Sequence, residues 1–229
     1  MKRSKSFLPT ALVPLIAFAL ALACMALLVV YSSRTPLQSL LSFFTKPFSS
    51  PWFFGNMLDM AGLLILAGTG SALALRAGAF NLGGEAQIYA PALAASVILV
   101  RLMPGVPDVA GVALIALAAA LALGALLGFI PGILRARLGI SELLSSFLLS
   151  AALVPVADYL VARPFRDTGG NLLATKAIDA SLRLPSILPP SHLNVSFIVA
   201  VSVACIAWVF VSRTAPGYRL RMTGEARDF

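Results

Sequence analysis

Long apolar stretches separated by short polar segments run through almost the whole chain. A helix needs ~20 apolar residues to cross the ~30 Å hydrocarbon layer of a membrane, because lipid offers no hydrogen-bond partner to a free backbone amide. The pattern predicts six such spans, at about residues 7–31, 56–75, 85–102, 109–134, 142–161 and 193–211. Residues 32–55 mix leucine and phenylalanine with prolines and polar residues, which is typical of a segment at the membrane surface. We therefore expect an all-α protein, a polytopic transmembrane helix bundle forming a single domain over residues 1–229.

The second and third predicted spans are short and are separated by a glycine-rich break at residues 76–84. Transporters interrupt membrane helices in this way, because a helix end can then offer backbone groups to a polar substrate inside the membrane. The same pattern also fits an ordinary cytoplasmic turn. Asn81, Glu85 and Gln87 lie in or directly after the break, so they are candidates for contact with a substrate.

Other polar residues lie close to the predicted ends of the spans. Polar groups at membrane depth are costly and therefore tend to be functional. Arg76 belongs to the break itself. Asp59, Glu142 and Asp158 are each near a predicted helix end, which favours charges at the interface in contact with water.

The fourth predicted span contains a regular series of glycines. Gly124, Gly128 and Gly132 recur every four residues and so share nearly one helix face, where another helix can approach closely. Because the segment is also rich in alanine, its composition alone provides a second explanation for these small residues.

Composition excludes a soluble globular domain. Apolar residues make up 59% of the chain and charged residues only 11%, against roughly 25% charged residues in soluble domains. The net charge of +8 does not indicate nucleic-acid binding, since the Lys and Arg residues lie between apolar runs rather than on one solvated face. A cytoplasmic N-terminus, held by an uncleaved first span, puts ten of the 17 Lys and Arg residues in the cytoplasm, as the positive-inside rule requires. This predicts a multi-pass protein of the inner membrane.

No pattern of an enzyme, a metal site or a cofactor site is visible. The chain contains no Walker-type glycine loop, no dinucleotide fingerprint and no nucleophile elbow. Cys24 and Cys205 lie in apolar segments, and the one histidine, His192, has no acidic or thiol cluster near it in sequence. We expect no enzymatic activity, no metal and no cofactor, so any ATP must be used by a partner subunit.

Three segments resemble the permeases of ABC importers for nucleosides and simple sugars. Residues 75–87, LRAGAFNLGGEAQ, resemble the signature of this family, which includes the branched-chain amino acid and ribose type of binding-protein-dependent permeases. Residues 134–142, LRARLGISE, are similar to its cytoplasmic link, and residues 214–225, TAPGYRLRMTGE, to the segment before its contact with the ATPase. Departures are Ala86 for glycine, Ser141 for asparagine and Ala226-Arg227 for Asn-Pro. Because such permeases continue beyond the position of Phe229, the resemblance implies a C-terminally truncated permease.

The resemblance implies roles for two sets of residues. The substrate pathway would include Phe80, Asn81, Gly83, Gly84, Glu85 and Gln87. Residues 213–229 would begin the cytoplasmic coupling segment, with Gly217, Tyr218, Arg221, Gly224 and Glu225 contacting the ATPase. Tyr89, like Phe80, could stack on a sugar or a nucleobase. The implied partners are an ATP-binding cassette subunit, a second permease subunit, an extracytoplasmic substrate-binding protein and the lipid bilayer.

Two alternatives remain open on the residues alone. A self-contained secondary transporter or channel would also have broken helices and buried polar residues. It would need membrane-buried acids for ion coupling, for which only Asp59, Glu85 and Asp158 are candidates. A membrane anchor or assembly subunit without transport activity would leave the polar cluster at Asn81–Gln87 without a role.

Overall fold

The computed structural model describes residues 12–102 and 109–225 as a set of helices joined by short connections and one long loop. The helices are α1 (Leu12–Ser32), α2 (Pro36–Thr45), α3 (Pro51–Arg76), α4 (Gly84–Leu102), α5 (Val109–Leu138), α6 (Glu142–Ala162), α7 (Ser196–Arg213) and α8 (Ala215–Glu225). No β-strand forms within these residues, so the prediction of an all-α helical bundle is confirmed. The basic start Lys2-Arg3-Lys5 and the Ala226-Arg227 departure lie outside the described residues.

Five helices are long and apolar enough to cross a membrane: α1, α3, α5, α6 and α7. They correspond to five of the six predicted spans. The helix α4, which corresponds to the predicted third span, is not among them. It has 19 residues and carries Glu85 in its first turn, Pro91 in its interior and Arg101 in its last turn. These residues lower its apolar character, so length and composition by themselves identify five of the six predicted spans within the described residues.

The predicted surface segment 32–55 contains the short helix α2, a 3-10 turn at Lys46–Phe48 and the first residues of α3. The ten residues of α2 are too few to cross the hydrocarbon layer. Pro36 takes the first position of α2, where its missing N–H would have no partner in any case. The next helix, α3, begins at Pro51, five residues before the predicted start of the second span.

The described residues group into two compact units. One consists of the residues up to Leu58 with Leu188–Leu193, and the other of Asp59–Ile187 with the residues from Asn194 onward. Inside the first unit, the backbone N–H of His192 donates to Asn56 Oδ1 at 3.0 Å. Only a glycine fits at position 55, because a Cβ atom there would overlap the side chain of Ser191.

The second unit contains the packed helices α4, α5 and α6, which form the greater part of the buried core. Its buried apolar residues are mostly small, among them Ala86, Ala116 and Ala157, and small residues let membrane helices approach closely. A Cβ atom on Gly124 would lie 3.6 Å from the Pro91 ring of α4, and one on Gly128 would lie 4.0 Å from Gln87 Nε2. A Cβ atom on Gly132 would meet nothing within 4 Å. Two of the three regularly spaced glycines therefore lie at a helix contact.

A long loop connects α6 to α7 and contains a 3-10 turn at Ala180–Leu182. The Asp179 carboxylate accepts hydrogen bonds from the Ser181 hydroxyl and from the Ser181 amide, and these bonds lower the pKa of this carboxyl. Near the start of the loop, the Arg101 guanidinium donates to the Pro164 carbonyl at 3.3 Å and lies over the Phe165 ring. Arg101 thus links the start of the loop to the end of α4.

Candidate functional site

The glycine-rich break starts with a helix stop that the local sequence determines. The N–H of Ala79 donates to the Ala74 carbonyl at 2.9 Å, and the N–H of Gly78 donates to the Leu75 carbonyl at 3.0 Å. This pair of bonds is the Schellman arrangement, which requires a left-handed residue after the last helical turn. Gly78 has a φ of +70° and supplies that residue at no steric cost. Leaving the helix at this point sends the chain across the ends of α5 and α6.

Three residues on one face of α6 hold the break. Glu142, Ser146 and Ser150 are spaced by four residues, so their side chains point in nearly the same direction. Glu142 Oε1 accepts from the Phe80 N–H at 3.3 Å, Ser146 Oγ from the Leu82 N–H at 3.0 Å, and Ser150 Oγ from the Ala86 N–H at 3.1 Å. Backbone amides of the break and of the first turn of α4 are therefore satisfied by side chains of another helix.

An ion pair joins the end of α5 to the start of α6 beneath the break. Arg135 Nη1 lies 2.6 Å from Glu142 Oε1, and the same nitrogen donates to the Gly78 carbonyl at 3.2 Å. The Glu142 side chain is 16% exposed and that of Arg135 is 41% exposed. The pair thus contacts the break at two places, the Gly78 carbonyl and the Phe80 amide. It is the one ion pair found within residues 12–102 and 109–225.

Asn81 and Gln87 form a reciprocal amide pair. Asn81 Nδ2 donates to Gln87 Oε1 at 2.7 Å, and Gln87 Nε2 donates to Asn81 Oδ1 at 3.3 Å. Asn81 Oδ1 also accepts from the Gly83 N–H at 2.8 Å. A Cβ atom at Gly83 would come within 3.1 Å of Asn81 Oδ1 and of the Ser146 carbonyl, so the absence of a side chain keeps this pair in place.

The first turn of α4 offers unused hydrogen-bond donors. The backbone N–H groups of Gly84 and Glu85 have no protein partner in the part of the chain that the structure describes. Nothing lies within 4 Å of the position of a Cβ on Gly84, and the Glu85 side chain is exposed. The start of a helix carries a partial positive charge as well as these donors. A polar group of a bound molecule could accept from them.

A cavity of about 260 Å³ lies beside the break. It is bounded by the end of α3, the break, α5 and α6, and its polar lining consists of Asn81, Arg135, Glu142 and Ser146. Phe80, which is 48% exposed, forms part of its apolar lining together with Gly128 and Gly132. Of the residues predicted for a substrate pathway, Phe80 and Asn81 line this cavity, whereas Gly83, Gly84, Glu85 and Gln87 belong to the adjoining turn and the start of α4.

The predicted coupling residues lie on α8, and two of them have close backbone neighbours. A Cβ atom on Gly217 would collide with the Phe210 carbonyl in the last turn of α7. A Cβ atom on Gly224 would collide with the Arg76 carbonyl oxygen and come within 2.9 Å of the Gly78 nitrogen. The structure therefore brings the end of α8 into direct backbone contact with the beginning of the break. Tyr218 is 54% exposed, Arg221 lies 5.9 Å over its ring, and Glu225 is exposed.

Further polar residues differ in their surroundings. The Tyr89 hydroxyl donates to Asp158 Oδ1 at 2.8 Å, and this bond links α4 to α6. It also engages the hydroxyl of Tyr89, whose ring is one of the two expected to be able to stack on a sugar or a nucleobase. For Asp59, no hydrogen bond or ion pair occurs within the described residues.

Sequence reasoning missed the roles of Arg135, Ser146 and Ser150. For the two serines the signal was present, because Glu142, Ser146 and Ser150 follow one another at a spacing of four and so share one face of α6. The identity of the serines' partners was not readable, since these are backbone amides 64 residues away along the chain.

Replacing Ser146 or Ser150 with alanine should destabilise the protein. Each change leaves a backbone N–H of the break or of α4 without an acceptor, and an unsatisfied buried donor costs about 1–3 kcal/mol. Thermal unfolding of the detergent-purified protein should show a lower midpoint for both variants. Ser202→Ala is the matched control, because Ser202 is an exposed serine of α7 with no described hydrogen bond. A midpoint equal to that of the control would show that these bonds do not hold the break.

Comparison with known families identifies one match over most of the chain. Residues 53–229 match the family described as branched-chain amino acid transport system / permease component. The matched part covers all but the first two residues of α3 and all of α4 to α8, and it includes the break with its contacts on α6 and α8.

Curated proteins from several organisms are similar to the chain. A protein described as a probable riboflavin import permease of Treponema pallidum is 37% identical over 218 residues, which cover 93% of this chain and 56% of the relative. A guanosine ABC transporter permease of Bacillus subtilis is 31% identical, with 93% of this chain and 61% of the relative covered. A glucose ABC transporter permease of Haloferax volcanii is 28% identical, with 93% and 58% covered. The chain thus spans rather more than half the length of these relatives. No solved structure gives a significant match.

Proposed function

The chain belongs to the family of transport permeases described as branched-chain amino acid transport system / permease component, and from this premise we propose that it forms part of the translocation path of an ABC importer. The transported molecules are nucleosides, simple sugars or similarly hydroxylated neutral compounds. Transport is driven by a separate ATPase subunit. The proposal rests above all on the break, which borders a cavity containing polar side chains and contacts the end of α8.

The chemistry of the break supports a neutral, polar substrate. The Asn81–Gln87 pair presents amide donors and acceptors, and the first turn of α4 adds the free N–H groups of Gly84 and Glu85. Arg135 and Glu142 neutralise each other at 2.6 Å, so the cavity has no unpaired charge of its own. Hydroxyl groups and the edges of a nucleobase match such donors and acceptors. The relatives are described as permeases for riboflavin (probable), guanosine and glucose, all of which are hydroxylated compounds.

The arrangement of the helix ends supports a cytoplasmic position of the break. The end of α3, the start of α4, the end of α5, the start of α6 and all of α8 belong to this region, which contains Arg76, Arg135, Arg219 and Arg221. Clustering of arginines favours the cytoplasmic side. With this orientation, α8 faces an ATPase, the N-terminus is cytoplasmic, and the loop after α6 faces a substrate-binding protein. A second permease subunit completes the path in the inner membrane.

Reconstituted transport tests this function against the secondary-transporter alternative. The protein, its ATPase subunit and the binding protein are placed in vesicles, and uptake of labelled guanosine, riboflavin and glucose is measured. We expect uptake to require ATP on the side of the membrane that carries the ATPase subunit. Dissipating the proton and sodium gradients should leave uptake unchanged. Uptake that follows an ion gradient without ATP would instead establish a secondary transporter. Equal uptake in vesicles lacking the protein would exclude both.

Substituting Asn81 with alanine should reduce uptake by about tenfold or more. The change removes both halves of the amide pair and the acceptor of the Gly83 N–H, and each lost hydrogen bond is worth about 0.5–1.5 kcal/mol. Initial uptake rates over a range of substrate concentrations would measure the effect. Asn171→Ala is the control, because Asn171 is an exposed loop residue with no described partner. If Asn81→Ala shows wild-type uptake kinetics, the amide pair is not part of the substrate pathway.

A further inference from the structure

A separate cavity of about 360 Å³ lies between α3, α7 and α8. Arg76, the last residue of α3, and Arg221 of α8 line one end of it. Thr69 lies seven residues before Arg76 on the same helix, which corresponds to a depth of about 10 Å at 1.5 Å per residue. The cavity therefore runs from the level of the helix ends into the apolar part of the bundle.

The charged end of this cavity has donors without acceptors. The Nε atom of Arg221 is buried and has no hydrogen-bond partner in the part of the chain that the structure describes. Within the same residues, the Arg76 guanidinium forms neither a hydrogen bond nor an ion pair. Contact between Gly224 and the Arg76 carbonyl holds α8 against α3 here, so the two arginines stay at the same end. An unsatisfied buried donor is costly and calls for an acceptor, and two guanidinium groups favour an anion such as a phosphate.

The rest of the cavity has a different character. Below the arginines its walls are formed mainly by apolar side chains, including Leu73, Val211 and Trp208. Tryptophan side chains favour the level of the lipid headgroups, where the ring is apolar and the N–H can meet water. A small, fully hydrated anion would occupy only the end of the cavity that the two arginines line. A molecule with a negatively charged head and an apolar tail would use all of it.

We propose that this cavity is a binding site for an anionic phospholipid. The phosphate of the headgroup lies between Arg76 and Arg221, accepts from the Arg221 Nε–H, and the first part of an acyl chain follows α3 and α7 past Trp208. Basic pockets between membrane helices at the cytoplasmic side have the chemistry to bind such headgroups. The site does not depend on the substrate of the importer. Because α8 also contacts the break, a bound lipid would stabilise the packing of α8 on α3.

Fluorescence of Trp208 offers a direct test. The chain has two tryptophans, so Trp52→Phe leaves Trp208 as the only indole. Quenching of its emission is measured in vesicles containing phosphatidylglycerol with brominated acyl chains, and separately with brominated phosphatidylcholine. We expect the anionic lipid to be preferred about tenfold over the zwitterionic lipid at this position. The double variant Arg76→Gln/Arg221→Gln should reduce the preference to about one.

Controls separate a specific site from a general effect of charge. Arg213→Gln/Arg219→Gln removes the same number of charges from α7 and α8 without touching the lining of the cavity, and it should keep the preference. Circular dichroism checks that both double variants keep the helix content of the parent. If a double variant has less helix than the parent, quenching is measured in the single variants Arg76→Gln and Arg221→Gln, each of which should lower the preference. Equal quenching by both lipids in the parent would overturn the proposal. Loss of the preference on adding inorganic phosphate alone would identify a free anion as the ligand and would also overturn it.

Discussion

Alanine at position 224 is expected to uncouple ATP hydrolysis from transport. The added Cβ atom meets the Arg76 carbonyl, the Gly78 nitrogen and the carbonyl carbon of Ala77, and all of these are backbone atoms that cannot rotate away. The end of α8 must therefore move off the break. Overpacking of this kind costs about 1–3 kcal/mol, and a tenfold change in rate corresponds to about 1.4 kcal/mol. We expect substrate uptake to fall by about tenfold or more.

The measurement compares uptake with ATP hydrolysis in the same vesicles. Because the exposed side chains of α8 are unchanged, the ATPase should still associate and hydrolyse ATP at its basal rate, while stimulation by substrate is lost. Gly70→Ala is the matched control, since no atom lies within 4 Å of a Cβ at that position of α3. Full uptake by Gly224→Ala would show that α8 does not act through its contact with the break.

Removing the carboxylate of Glu142 is expected to have the second large effect. In Glu142→Ala the Phe80 N–H loses its acceptor and Arg135 loses its partner at 2.6 Å. The ion pair itself contributes little, since the Arg135 side chain is 41% exposed and water screens the charges. The unsatisfied donors dominate, at about 1–3 kcal/mol. A lower unfolding midpoint and uptake reduced by about tenfold should result.

A double-mutant cycle with Arg135→Gln assigns this loss to the pair. If the two residues act together on the break, the double variant should be less destabilised than the sum of the single variants, with a coupling of about 0.5 kcal/mol or more. Strict additivity would mean that each residue acts alone. Asp59→Asn serves as the control for loss of a carboxylate, because Asp59 has no described partner. Its unfolding midpoint should remain that of the parent.

Local sequence explains the course of the helices well. Apolar runs predicted five helices of spanning length, and a proline at the first position of α2 and of α3 marks where each begins. Length and composition do not single out α4 as a sixth span, because Glu85, Pro91 and Arg101 reduce its apolar character although its length resembles that of a span. Hydropathy alone is a weak guide at such a helix, because a polar residue that faces a neighbouring helix counts the same as one that faces lipid.

The candidate site was predicted as a set of residues but not as an arrangement. Asn81, Glu85 and Gln87 are close in sequence, so their proximity needed no fold. From the sequence, Glu142 was predicted to be a charge at the membrane interface. In the structure its Oε1 accepts a hydrogen bond from the Phe80 amide and forms an ion pair with Arg135. The roles proposed for these residues in transport, and for α8 in coupling, remain predictions that the experiments above address.

What the sequence determined by itself is local: the apolar helices, the turn at Gly78, whose left-handed backbone favours glycine, and the segments that resemble the permease family. Only the tertiary structure decided which helix faces meet. It joined Ser146 to the Leu82 amide, Gly224 to Gly78, and Arg76 to the same cavity as Arg221. The reason is physical. Hydrogen bonding within a helix depends on neighbours three to four residues away, whereas these contacts depend on how helices are rotated and packed against one another, and the pattern along one helix does not specify its partner.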